Sequence, residues 1–163
     1  MKVAVIQLAY DDAEPIGGRR ERVAELVRMQ RGHDLVMLPE LWGATGFDYQ
    51  KWEASAEPLY GPTVELLAGV ARDIGSMVHL GSIIERLPEP GVEGRHLANT
   101  SVVLSPAGEP VAVYRKIHRF GFGAGEPKLL EAGGEIVTVG LPGGHTAGLS
   151  TCYDLRFPEL YRR

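Results

Sequence analysis

Short apolar runs alternate with amphipathic stretches along most of the chain. Residues 3–8 are apolar but for Gln7, which predicts a buried first strand. Residues 19–30 place Val23, Leu26 and Val27 at helical spacing with charges between them, the pattern of a surface helix. A second buried strand is predicted over 34–38, ending at Pro39-Glu40, and a second helix over 62–74, with Pro62 in its first turn. Three more apolar runs, 77–84, 99–104 and 111–114, predict strands, and the loop 105–110 joins the last two as a hairpin. Residues 136–139 and 146–151 close the series. Strand, helix, strand, helix and then hairpin-linked strands predict an α/β layered fold with a mixed sheet.

Glycine and proline gather between these runs, at 43–46, 89–94, 121–125, 133–134 and 140–144, so long loops are expected near strand ends, where sites are usually built. At 163 residues the length suggests one domain, and no linker or repeat divides it. The net charge of −4, with basic residues scattered, argues against a nucleic-acid partner. No apolar run approaches the roughly 20 residues of a membrane span, and the N-terminal run meets acidic residues too soon for a signal peptide. A single cysteine excludes an internal disulfide, and a cytoplasmic location is expected. One feature is odd: Phe157, Leu160 and Tyr161 begin an apolar helical face that stops two residues later, which suggests a domain truncated on its C-terminal side.

Three chemically active residues stand where strands run out. Glu40 follows the strand at 34–38, Lys116 the strand at 111–114, and Cys152, the lone cysteine, the strand at 146–151. Strand ends on one edge of a layered sheet converge in space. A thiol, a carboxylate and an ammonium meeting there would form a nucleophile, its base and an anion stabiliser. Singly, each has a plainer explanation: a small buried hydrophobe, a helix-capping glutamate, a solvated lysine beside Arg115, His118 and Arg119. Other constellations fare worse. A Cys-His dyad with His79, His96 or His118 lacks an orienting partner signature, metal-ligand spacing is absent, and 121–125 lacks the spacing of a dinucleotide loop.

Together with their neighbours the three residues resemble the signature motifs of the nitrilase superfamily, the carbon-nitrogen hydrolases. The resemblance lies in Leu38-Pro39-Glu40-Leu41, in Tyr114-Arg115-Lys116-Ile117-His118, and in Cys152-Tyr153-Asp154-Leu155-Arg156-Phe157-Pro158-Glu159. It implies a four-layer α-β-β-α sandwich, incomplete in this chain, whose family domain is about 250 residues or more. It also implies an amidase-type hydrolase with Cys152 as nucleophile, Glu40 as general base, Lys116 as oxyanion stabiliser and the Tyr153 N–H completing the oxyanion hole. A second pocket glutamate is expected between lysine and cysteine. Glu126 is preferred over Glu131 because it keeps the family's seven-residue step to a glycine, here Gly133. Further implications are an amide, ω-amide or carbamoyl substrate, no metal or organic cofactor, and a homodimer or higher oligomer when full length. The alternatives are a truncated, non-catalytic remnant that associates with a full-length relative, and an acyltransferase on the same scaffold.

Overall fold

The computed structural model describes all residues except 10, 12, 45 and 47. Its centre is a six-stranded mixed sheet. Strands β1 (Val3–Val5), β2 (Leu35–Met37) and β3 (Met77–Arg86) run parallel; β4 (Leu97–Leu104) and β5 (Pro110–Arg115) follow antiparallel, and the two-residue β6 (Leu130–Glu131) pairs in parallel with the start of β4. A hairpin of β7 (Thr138–Leu141) and β8 (His145–Gly148) forms a separate two-stranded sheet.

Helices α1 (Ile16–Arg28) and α3 (Pro62–Ile74) pack on one face of the large sheet; α2 (Trp52–Ser55), α4 (Glu126–Leu129) and α5 (Pro158–Tyr161) are single turns. The punctuation of α3 is local. Pro62 presets the first turn and gives up a donor no helix start needs, and Gly75, at φ +66°, closes the end by donating to Ala71 O at 2.9 Å.

Alternation along the strands sends side chains to two cores. Val36, Val78, Leu80, Val102 and Leu104 meet Val23, Val27, Leu67 and Val70 from the helices. On the other face Leu35, Met77, Val103 and Tyr114 meet Val139 and Leu149 from the hairpin side. The described chain is therefore helix, sheet, sheet: three of the four expected layers.

Two expectations are corrected. The first strand covers three residues, not six, and Val3 and Val5 are exposed (41 % and 76 %), because they lie on the inter-sheet face while Ala4 turns to the helices. The strand expected at 146–151 ends at Gly148, and the residues after it approach Cys152 as irregular chain, with Leu149 N donating to Val137 O at 2.9 Å.

Candidate active site

Glu40 owes its position to a bulge. The β3–β4 register shifts between His79 and Ser82, and Gly81 sits there at φ +74°. A Cβ on Gly81 would lie 1.9 Å from Pro39 O, so only glycine lets the chain leaving β2 cross β3 so closely. The crossing is pinned by Leu41 N donating to Ser82 Oγ (3.1 Å) and Trp42 Nε1 to Leu80 O (2.8 Å). Glu40 begins this turn and caps no helix.

Lys116 is the residue after β5, and its N–H still donates across the ladder to Asn99 O at 2.9 Å. Its carbonyl accepts from Gly133 N (2.9 Å), another close approach, since a Cβ there would meet Arg115 O at 1.9 Å. The side chain is 1 % exposed, so the solvated-lysine explanation fails. Nζ donates to Glu40 Oε1 at 2.8 Å and to Glu126 Oε1 at 3.0 Å, and pairs with Glu126 Oε2 at 2.9 Å. Burial disfavours the ammonium, but Glu40 and Glu126 outweigh it and hold its pKa above the usual lysine value.

Glu126 is fully buried at the start of α4. It closes the glycine-rich loop on itself: Glu126 N donates to Phe120 O (3.2 Å), and Phe120 N donates to Glu126 Oε2. Glu131 faces elsewhere, accepting from Glu93 N at 2.8 Å and Arg95 N at 3.2 Å, where it organises the loop before β4. Of the two glutamates weighed from sequence, Glu126 is the one beside Lys116.

Cys152 opens a 3-10 turn over Cys152–Arg156 at φ +50°, a conformation costly for a side chain with a Cβ and concentrated at functional sites. The turn is held by Asp154, a fully buried carboxylate absent from the sequence-derived candidates. It accepts from Thr151 N (2.8 Å), Tyr114 Oη (2.6 Å) and His118 N (2.9 Å), and pairs with His118 Nδ1 (2.8 Å). Burial and that carboxylate push the Tyr114 hydroxyl well above its ordinary pKa, so it stays a donor. His118 stacks on Phe157 at 3.7 Å between ring centroids, and Tyr153 lies edge-on to both Phe120 (5.4 Å) and Phe157 (5.3 Å).

Cys152 and Glu40 line the same small cavity, and the carboxylate acts on the thiol across it. Although the residue as a whole is exposed, burial around its sulfur is the first cause raising its pKa, and Glu40 adds to this; Lys116 opposes both without reversing them. These effects favour the protonated thiol at rest. A cavity of about 190 Å³ adjoins it, walled by Glu40, His79, Ser82, Ser101, Thr151 and Cys152. Larger hollows of about 370 and 610 Å³ lie away from this cluster. Asn99, which nothing in the sequence singled out, donates Nδ2 to Glu40 Oε1 (2.8 Å) and to Glu126 Oε1 (3.1 Å). Among the described residues no group of three or more His, Cys, Asp or Glu is arranged to hold a metal ion, and no helix is long and apolar enough to cross a membrane.

The sequence and the fold both have relatives among known proteins. The chain is 44 % identical over 165 residues to a 2-oxoglutaramate amidase of Paenarthrobacter nicotinovorans, covering 99 % of this chain and 55 % of that protein. It superposes with a TM-score of 0.82 and 30 % identity on a CN-hydrolase superfamily protein from Xanthomonas campestris that carries an arsenic adduct in its active site, covering 97 % of this chain and 55 % of that one. A branch 10 nitrilase-superfamily protein of Saccharomyces cerevisiae gives 0.72 at 26 % identity, with 98 % and 58 % covered. The chain spans about half the length of the curated relatives it matches. The family profile described as carbon-nitrogen hydrolase matches residues 2–163, and with the fold and the motifs in agreement, this chain belongs to the carbon-nitrogen hydrolases of the nitrilase superfamily.

Proposed function

We propose that the protein hydrolyses the carbon-nitrogen bond of a small linear amide through a thioester on Cys152. The observation that carries this reading is the ion cluster: one buried ammonium held by two carboxylates, with the only thiol of the chain on the wall of the same cavity as one of them.

In the first half-reaction Glu40 takes the thiol proton as sulfur attacks the amide carbonyl. The raised thiol pKa fits a proton transfer coupled to attack rather than a stored thiolate. Lys116 and the Tyr153 N–H stabilise the oxyanion, and the proton on Glu40 passes to the departing nitrogen. Water then attacks the thioester with Glu40 again as base, and as the C–S bond breaks the proton passes from Glu40 to the sulfur, releasing the acid and restoring the thiol. Glu126, already accepting from Lys116, Asn99 and Phe120, holds the lysine in place and positions the substrate amide rather than moving a proton. No step calls for a metal or an organic cofactor.

For the acyl part we favour an ω-amide of a short dicarboxylic acid, since the relative at 44 % identity is a 2-oxoglutaramate amidase. Exposed Leu155 and Tyr161, just after the nucleophile, offer a surface for self-association. The test is a panel of ω-amides, simple aliphatic amides and N-carbamoyl compounds with ammonia release as readout. Release from the ω-amides, lost in Cys152→Ala, is expected; release from none of the panel would count against the reading.

A further inference from the structure

Asn99 is the only asparagine in the chain, as Cys152 is the only cysteine. It sits near the start of β4, 2 % exposed, directly across the ladder from Lys116. A primary amide has two N–H bonds, and here one goes to Glu40 Oε1 and the other to Glu126 Oε1. The consequence appears on the other atom: Oδ1 is buried and has no hydrogen-bond partner among the described residues. Folds keep few such orphaned acceptors, because each loses its hydration without replacement. Turning the amide over would set Oδ1 against two carboxylate oxygens, so the surrounding charges decide which way the group faces.

We propose that Asn99 is a positioning residue for the base: with Lys116 it fills Oε1 of Glu40 and so turns Oε2 toward the Cys152 thiol. Lys116 alone leaves that orientation loose, because its ammonium is shared with Glu126 and sits on a long side chain. A second donor on the same oxygen, from a short side chain on a strand, removes the freedom of the carboxylate to rotate. It does so without a second positive charge, which would make Glu40 a weaker proton acceptor. Asn99 also bridges the two carboxylates, fixing Glu40 relative to Glu126 and through it to the glycine-rich loop.

The inference rests on Glu40 being the base, and its test separates the two. Isotope labelling of asparagine nitrogen yields one side-chain amide signal, and the S–H stretching band reports one thiol. In the unmodified protein both Nδ2 protons should be shifted downfield of their free-amide positions. Glu40→Gln should move one of them and Glu126→Gln the other. Asn99→Leu, and the smaller Asn99→Ser, should shift the S–H band toward its position in Glu40→Gln. They should also slow alkylation of Cys152 by iodoacetamide about tenfold or more, with no further loss when combined with Glu40→Gln. Nδ2 protons that both lie at free-amide positions and move in neither Glu40→Gln nor Glu126→Gln overturn the proposal even if no Asn99 variant folds. Folded Asn99 variants that keep the wild-type S–H band overturn it as well. Alkylation unchanged in Glu40→Gln would instead sink the base assignment itself.

Discussion

Around Cys152 two carboxylates face one ammonium, and this balance sets the cost of disturbing the cluster and, in the proposed mechanism, its chemistry. Removing Lys116 would leave fully buried Glu126 and partly buried Glu40 without a counter-ion. Loss of one partner from a buried ionic cluster typically costs about 3–5 kcal/mol. Lys116→Ala should therefore lower the unfolding midpoint in denaturant and also reduce amide turnover on the order of a hundredfold or more, as loss of an oxyanion donor does. The double variant Lys116→Met, Glu126→Gln should recover much of the stability and none of the turnover, separating the two roles. At this scale the sequence was readable where chemistry narrows the choice: a lone cysteine, a Pro-Glu after a strand and a lysine after another. Asn99 and Asp154 were not, because their importance lies in what they touch, and an asparagine or aspartate in isolation carries no pattern.

Elements matter here through the places where they depart from regularity. The bulge in β3 that lets Pro39 cross over Gly81 has no signature in the hydrophobic pattern, whereas α3 was bounded correctly because proline and glycine mark its ends. Gly81→Ala adds a Cβ against Pro39 O at a positive φ, so a stability loss of about 2 kcal/mol or more is expected by chemical denaturation. Turnover should fall with it, since Glu40 rides on the displaced segment. His79 lies in the same bulge, and burial holds its imidazole below the ordinary histidine pKa. The unfolded chain then binds more protons than the folded one as pH falls through the ordinary histidine range. Stability, complete above that range, should decline as the solution is acidified through it. Melting curves of wild type and His79→Gln between about pH 7.5 and 5.5 should diverge, the variant showing the shallower loss.

For the molecule as a whole, the two faces of the large sheet carry unequal weight. The helix face is filled by side chains at or near zero exposure, while the inter-sheet face is met by one hairpin and leaves Val3 and Val5 open. Leu67→Ala, on the helix side and fully buried, should cost about 2–5 kcal/mol in equilibrium unfolding. Val5→Thr should change stability by less than about 0.5 kcal/mol. The apolar run at the start of the chain announced a strand but not which of its faces would be covered, because burial depends on what packs across it. The claim on which the functional reading turns is a covalent acyl group on Cys152. Rapid quenching of the protein with an ω-amide substrate, followed by peptide mass spectrometry, measures it directly. An acyl mass increment on the Cys152 peptide, absent in Cys152→Ala together with ammonia release, is the expected result; ammonia released undiminished by Cys152→Ala, with that peptide unmodified throughout, would contradict it.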